Sequence, residues 1–193
     1  MWKNRVVDWA FVELNNDISF RPNVMPNIPQ SLNPSKFGLR LNYREGAPLA
    51  GFDQLSESEW FSKTGKSTGM TSGVCNGVKM SCHWNDQDRE RFDMEGKEFP
   101  VNPEVTEEFV ILDQAGENIQ TDFAQPGDSG SVLVDRFGCV PGLLYGAMYI
   151  YAGINLTTYA GLAMTMPDVL ETIKLKTQDT KAQESKHAVL ELP

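Results

Sequence analysis

Short runs of β-branched and aromatic residues, bounded by glycine, occupy much of the sequence between positions 60 and 164. Runs of this length and spacing are typical of an all-β barrel or sandwich, because glycine permits the tight turns that join neighbouring strands. With 40% hydrophobic residues among 193, the chain can bury a core of this kind. The predicted strands are Val6–Leu14, Trp60–Lys63, Met70–Val78, Val105–Leu112, Ser131–Val134, Cys139–Tyr149 and Thr157–Met164.

The two ends of the chain follow other patterns. Met166-Pro167-Asp168 predicts the start of a helix, since proline is favoured in a first helical turn. Apolar residues then recur at helical spacing from Val169 to Leu175. From Thr177 onward the polar composition predicts a disordered tail. Near the other end, residues 21–34 are rich in proline, which cannot donate to a strand ladder and therefore favours an irregular, extended segment.

Charge and composition exclude several classes of function. The net charge of −9, with no basic cluster, would repel nucleic acid and disfavours anionic membranes. No apolar run approaches the roughly 20 residues that cross a bilayer, and the first residues do not form a signal peptide. The three cysteines show no CxxC spacing, so we expect no zinc site, no other metal or cofactor, and reduced thiols in a reducing, cytoplasm-like compartment.

The most specific motif is Gly127-Asp128-Ser129-Gly130, which opens the predicted strand at Ser131–Val134. A serine on a glycine-bounded turn suits a nucleophile, because the N–H groups of Gly127 and Ser129 could form an oxyanion hole. An ordinary β-turn is the alternative interpretation, since glycine, aspartate and serine all favour turns. Two rival motifs fail in detail: the G-x-S-x-G elbow needs glycine at position 131, and a phosphate loop ending at Gly65-Lys66-Ser67 needs glycine at position 60.

Four segments in order resemble the trypsin/chymotrypsin-like serine peptidases, in particular a divergent, fungal-type branch. They are the aspartate segment Val7-Asp8-Trp9-Ala10-Phe11-Val12-Glu13-Leu14, the K-x-G…T-G-x-T-x-G-x-V pattern from Lys63 to Val74, the serine loop, and Met164-Thr165-Met166-Pro167 leading into the helix. This resemblance implies a double β-barrel. Residues 1–57 would be a remnant of the first barrel and a linker, residues 58–176 the second barrel with its C-terminal helix, and residues 177–193 the tail.

The resemblance also implies roles for individual residues. Ser129 would be the nucleophile of a peptidase that acts on peptides or proteins through an acyl-enzyme, and Asp8 would orient the catalytic histidine, with Asp17 as the competing candidate. The substrate pocket would involve Phe123, Leu144, Tyr145 and Gly146. Phe123 stands where cleavage after Lys or Arg would need a carboxylate, so the resemblance does not support basic specificity. Each of these pocket residues is equally consistent with a place in the barrel core or a plain barrel strand.

A catalytic histidine is missing from the expected place. In this family the order is His, Asp, Ser, and no histidine precedes Asp8. The two histidines present are His83, in a predicted loop, and His187, in the predicted tail. We therefore expect an inactive chain whose first barrel is mostly missing through truncation. The alternatives are a pseudo-protease that binds peptides or proteins, and a different hydrolase using Ser129, Asp168 and His187.

Overall fold

The computed structural model describes residues 23–83, 105–113, 122–151 and 157–174. The predicted strand at Val6–Leu14, both candidate aspartates Asp8 and Asp17, His187 and the predicted tail lie outside the described residues. The strands are β1 (Gly51–Phe52), β2 (Trp60–Gly65), β3 (Gly69–Cys75), β4 (Met80–His83), β5 (Val105–Asp113), β6 (Val132–Asp135), β7 (Cys139–Val140), β8 (Gly142–Tyr151) and β9 (Thr157–Thr165). Helix α1 covers residues 166–174, and two 3₁₀ helices, Gln30–Leu32 and Pro34–Phe37, precede β1.

Six of these strands close into an antiparallel barrel. The order around the barrel is β3-β2-β6-β8-β9-β5, and the additional pairing of β3 with β5 closes the ring. The prediction of a mostly β chain with a barrel and a C-terminal helix is confirmed. Closure gives each of these six strands a neighbour on both sides, which reduces the length of strand edge that could pair with another chain.

The inner faces of the strands meet in one apolar core. The burial pattern of β5 alternates at its start and then becomes continuous, because its second half is covered on both faces. A buried core residue makes many weak dispersion contacts, which together contribute much of the stability of the fold. The buried members of this core are Leu55, Phe61, Cys75, Phe109, Ile111, Phe123, Ala124, Leu133, Leu144 and Ala163.

The predicted strands differ from the observed ones mainly at their ends. The single run predicted at Cys139–Tyr149 is divided into β7 and β8 at Pro141, which has no N–H to donate. Strand β4 was not predicted at all, and His83, which we expected in a loop, is the last residue of β4. Among the described strands, β4 pairs with β5 alone, and its alternation of methionine, serine and cysteine is too weak a pattern to predict a strand.

A bulge interrupts the pairing of β8 with β9. Leu144 pairs with Ala163 and Gly146 pairs with Leu162, so Tyr145 is the extra residue on β8. A bulge leaves its extra residue out of the regular ladder and re-aims the groups beside it. The Tyr145 carbonyl is thereby available to residues outside the sheet.

Helix α1 begins with a side-chain cap. The Thr165 hydroxyl accepts a hydrogen bond from the Asp168 N–H at 3.3 Å and donates to Asp168 Oδ2 at 2.7 Å. Such a cap satisfies an N–H that the first helical turn leaves without a partner. Asp168, which is buried, therefore has a structural function at the start of the helix. The alternative hydrolase site of Ser129, Asp168 and His187 did not include this function.

The described segment before the barrel, residues 23–59, packs against it with only short elements of regular structure. Met25, Ile28 and Leu55 are buried, and β1 forms a short parallel pair with β7. Backbone bonds from Asn42 N to Arg136 O and from Ala50 N to Gly138 O join the segment to the barrel.

Cys75 and Cys82 are buried, Cys139 is half-buried, and all three are free thiols. Among the described helices, none has the length and apolar character needed to span a membrane.

Candidate active site

The loop of residues 122–131, here called the serine loop, is tied to the barrel at its first residues. The Asp122 carboxylate accepts hydrogen bonds from the Tyr159 N–H at 2.8 Å and from the Gln125 side chain at 2.7 Å. The Phe123 N–H donates to the Tyr159 carbonyl at 3.1 Å. Phe123 and Ala124 are fully buried, so the loop starts from a fixed position in the core.

Two tight turns shape the tip of the loop. The Asp128 N–H donates to Gln125 O at 3.0 Å, and the Ser131 N–H donates to Asp128 O at 3.1 Å. Gly127 has φ +100° and Gly130 has φ +87°, values in the left-handed region that favours glycine. The glycines on either side of Asp128-Ser129 are therefore required by the backbone of the loop.

The side chain of Asp128 points inward and is the most heavily bonded group of the loop. It is 1% exposed. Oδ1 accepts from the N–H of Ser67 at 2.7 Å and from that of Thr68 at 3.3 Å. Oδ2 accepts from the Thr68 hydroxyl at 2.7 Å, from Gln125 N at 3.1 Å and from Lys63 Nζ at 3.0 Å. Burial alone would raise the pKa of Asp128, but these donors hold it well below its usual range.

Lys63 supplies the positive charge that faces Asp128. Both side chains of this ion pair are 0% exposed. The ammonium also donates to the Thr68 hydroxyl and, at 3.5 Å, to the Gly69 carbonyl. Burial lowers the pKa of Lys63, and the hydrogen bond and charge of Asp128 oppose that shift. The pair is therefore a desolvated salt bridge that hydrogen bonds complete, the condition under which buried charges are tolerated.

Residues of the K-x-G…T-G-x-T-x-G pattern contact the serine loop and hold it against the barrel, which explains why these residue types occur there. A Cβ on Gly65 would lie 2.3 Å from Asp128 Oδ1, so only glycine lets the carboxylate approach β2 so closely. The Thr71 hydroxyl donates to Phe123 O at 2.7 Å. A Cβ on Gly73 would lie 2.8 Å from the Phe123 ring. Two motifs recognised separately in the sequence thus form one structural unit.

Ser129 lies on the opposite, exposed side of the loop. Its hydroxyl donates to the carbonyl of Tyr145, the bulged residue of β8, at 2.9 Å. Within the described part of the chain, no side chain that could act as a base is bonded to this hydroxyl. Burial, followed by the nearby Glu108 carboxylate, raises the pKa of Tyr145, so its phenol stays neutral and is a poor base.

Some backbone N–H groups around Ser129 donate hydrogen bonds within the described structure, and others do not. The amides of Asp128 and Gly130 donate to Gln125 O and Leu144 O, respectively. Among the described residues, the amides of Gly127 and Ser129 have no acceptor. These are the two donors from which the sequence predicted an oxyanion hole.

The predicted pocket residues lie in two different environments. Phe123 and Leu144 are 0% and 1% exposed and belong to the core, which is the alternative that the sequence left open for them. Tyr145 and Gly146 are half-buried on β8, beside the serine. A side chain without exposed surface cannot contact a ligand unless the barrel rearranges.

A cavity of about 350 Å³ borders the end of the serine loop. Strands β2 and β6 pair only at Phe61 with Asp135 and at Ser62 with Val134, and the cavity occupies the gap beyond this pairing. Its walls include Gly130 and Ser131 of the loop, Val132 of β6, and the apolar residues Val24 and Leu49. Space for a small ligand group therefore exists directly beside the residues that follow Ser129.

Of the remaining candidate residues, two lie in the described part of the chain. Asp168 caps helix α1, and the backbone of His83 ends β4, a strand that pairs with β5 beside the closed ring. Asp53, Asp135 and Cys139 place potential metal ligands within 4.8 Å of one another. However, Asp135 Oδ1 accepts from the N–H groups of Phe137 and Cys139, at 2.8 and 2.9 Å, so the turn itself accounts for that carboxylate.

Sequence reasoning missed the contribution of Lys63 and Thr68 to the site. Both stand in the K-x-G…T-G pattern, and a lysine and a threonine at fixed positions in a predicted barrel could have suggested partners for a buried carboxylate. No family model matches this sequence, and no curated protein matches it either.

Proposed function

We propose that this chain carries the nucleophile of a serine-type endopeptidase of trypsin-like architecture, with Ser129 as the residue that is acylated. A closed six-stranded barrel followed by a helix is the architecture that the resemblance implies for the second half of such an enzyme. The peptide would lie along the exposed side of the serine loop, near Tyr145 and Gly146.

One observation carries the proposal. An exposed serine hydroxyl stands between glycines of positive φ, and the amides of Gly127 and Ser129 are unused in the described structure while those of Asp128 and Gly130 are used. Two preorganised N–H donors beside a hydroxyl suit an oxygen that becomes negative as the serine attacks a carbonyl. An ordinary β-turn needs neither the buried carboxylate nor the free amides.

The chemistry assigns a role to each group. The Ser129 Oγ forms a bond to the peptide carbonyl carbon, and the amides of Gly127 and Ser129 donate hydrogen bonds to the resulting oxyanion. The proton leaves the hydroxyl for a base and is then given to the departing amine as the C–N bond breaks. Water later releases the acyl group. Before attack, the hydroxyl must give up its bond to the Tyr145 carbonyl, which could then accept from the peptide backbone.

The proposed mechanism also needs a base, and the Ser129 hydroxyl is bonded to a backbone carbonyl instead of a base. In another serine protease, loss of the histidine alone costs about a millionfold in turnover. We therefore expect the 193-residue chain by itself to cleave peptides extremely slowly. Its serine should nevertheless react with a strong electrophile when a small base is added.

The experiment is labelling with an alkyl fluorophosphonate in the presence of imidazole, followed by mass spectrometry of the peptides. Ser129 should form the phosphonate ester, with loss of fluoride, much faster than any other serine. Ser129→Ala should abolish this label. Ser81→Ala, which removes an exposed serine on β4, should leave it unchanged. Equal and slow labelling of all exposed serines would refute a nucleophile at Ser129.

A non-catalytic peptide-binding module is the second candidate. It is favoured by the hydrogen bond from Ser129 to the Tyr145 carbonyl, which leaves the hydroxyl with a neutral acceptor instead of a base. The binding of a library of extended peptides to the parent chain and to Ser129→Ala, measured by fluorescence anisotropy, separates the two functions. A binding module should retain its affinity in Ser129→Ala and show no preferred phosphonylation, whereas an endopeptidase site should show that preference.

A further inference from the structure

The five donors to the Asp128 carboxylate are not equivalent. Four are neutral groups: the N–H groups of Ser67, Thr68 and Gln125, and the Thr68 hydroxyl. Only Lys63 carries a full charge, and its side chain has no exposed surface. A carboxylate in so dry a place needs an opposite charge as well as hydrogen bonds to remain ionised.

The consequences of losing that charge would reach Ser129 directly. Asp128 is the preceding residue, and its own backbone makes the hydrogen bonds that define both turns of the loop. An unpaired carboxylate would either take up a proton or swing toward water. A swing would pull the backbone of Asp128 with it and disturb the adjacent amides of Gly127 and Ser129.

We propose that Lys63 is a positioning residue for the nucleophile, which holds Ser129 and the two free amides in place through its ion pair with Asp128. This role rests on the proposed function only where it concerns reactivity, because the effect on the shape of the loop can be measured separately. The cation comes from β2 of the same barrel, 65 positions earlier in the sequence. The serine loop is therefore organised by a charge that the barrel itself contains.

The surroundings of the ammonium explain why a lysine suits this position. Its Nζ is directed at Asp128, the Thr68 hydroxyl and the Gly69 carbonyl, three acceptors for three ammonium protons. A Cβ on Gly65 would already lie 2.9 Å from this nitrogen. The planar guanidinium of arginine is larger and arranges its donors differently, so we expect Lys63→Arg to fit poorly.

The test compares three variants of the full chain. Lys63→Met removes the charge at similar length, and Lys63→Gln keeps a neutral donor. Lys66→Met makes the same change at an exposed lysine three residues further along the chain. Two quantities are measured: hydrogen exchange of the amides from Gln125 to Ser131, and the fluorophosphonate labelling of Ser129, separated into reagent affinity and maximal rate.

For Lys63→Met we expect faster exchange confined to the serine loop, and a maximal labelling rate lower by about a hundredfold, the cost of misplacing a reacting group by about 1 Å in other enzymes. Reagent affinity should be unchanged. Lys63→Gln should fall between the parent and Lys63→Met, and Lys66→Met should match the parent. If the parent itself is not labelled, the proposed function fails, while hydrogen exchange still tests the positioning role.

A folded Lys63→Met or Lys63→Gln variant with parental exchange and parental labelling would overturn the proposal. If neither variant folds, nitrogen-15 spectra of the parent chain decide the question. The amide signals of Gly127 and Ser129 should then shift with the same pH midpoint as the Lys63 ammonium. Amide signals that do not respond to this titration would also overturn the proposal.

Discussion

Two ion pairs of the barrel differ in almost every property except the signs of their charges. Lys63 and Asp128 lie 3.0 Å apart with both side chains 0% exposed. Arg136 and Glu59 lie 3.7 Å apart, with 26% and 35% of their side chains exposed. The first pair is completed by further donors to Asp128, whereas the second is only partly removed from solvent. The difference shows that the surroundings of an ion pair, more than its presence, decide its structural importance.

The largest effect is expected where the buried pair is broken. Lys63→Met should lower the free energy of unfolding by about 3–5 kcal/mol, because it leaves a desolvated carboxylate without its counter-charge. Urea denaturation followed by tryptophan fluorescence measures this change, since Trp60 is fully buried. Lys66→Met should change the free energy of unfolding by less than about 0.5 kcal/mol, because Lys66 is exposed. Similar losses in both variants would show that the buried pair has no special importance.

The second prediction concerns acid. The pKa of Asp128 is lowered in the folded state, so its contribution to stability is fully present above the unfolded-state pKa of about 3.9. This contribution is lost as the pH falls toward the lower pKa of the folded state. The gap in unfolding free energy between the parent and Asp128→Asn should therefore be constant near neutrality and narrow below about pH 4.

Denaturation curves of both proteins across this range measure the gap. Glu59→Gln is the matched control, because it removes a carboxylate from the partly exposed pair with Arg136. A gap that stays constant down to strongly acidic pH would contradict the assignment of a low pKa to Asp128.

A smaller effect is expected from crowding the same pair. Gly65→Ala would place a methyl group 2.3 Å from Asp128 Oδ1, so the carboxylate must shift. Overpacking of this kind typically costs about 1–3 kcal/mol. Gly77→Ala is the control, because its methyl group would meet only the Ser58 hydroxyl, at 3.3 Å. Thermal denaturation of the two variants measures the difference, and equal melting temperatures would argue against the tight approach.

The smallest effect on stability is expected for the partly exposed pair of Arg136 and Glu59. Arg136→Met should lower the free energy of unfolding by less than about 1 kcal/mol, as partly exposed ion pairs usually contribute little. Raising the salt concentration should shrink even this difference, because exposed charges are screened. If Arg136→Met lowered the free energy of unfolding as much as Lys63→Met, and if salt did not change this loss, the two pairs would not differ in their contribution to stability. Urea denaturation at low and high salt provides the measurement.

Much of the barrel could be predicted from the sequence because its strands are local patterns. Val105–Leu112 and Thr157–Met164 correspond closely to β5 and β9, since alternating or continuous runs of apolar residues indicate a strand without knowledge of its partners. The helix start at Met166-Pro167 was also confirmed, for the same reason. Strand β4 was missed because its residues carry little periodic signal and its place depends on pairing with β5.

The site was less predictable because its contacts are long-range. Ser129 and its glycines form a local motif, so the loop could be recognised. The bond from Ser67 N to Asp128 joins residues 61 positions apart, and no local pattern indicates such a contact. The burial of Phe123 likewise depends on Thr71 and Gly73, which belong to another strand. The position of the charged groups thus required the folded barrel.

The long separation between the β2–β3 hairpin and the serine loop also has a consequence for folding. The bonds that fix Asp128 come from residues near position 65 and can form only after the intervening chain has been enclosed in a loop, which is an entropically costly, late event. A ribosome-bound or partly folded chain therefore contains Ser129 as an ordinary serine in a flexible turn. The geometry of the serine loop arises with closure of the barrel, so, if Ser129 is the proposed nucleophile, the rate at which it becomes labelled during refolding would report when native topology is reached.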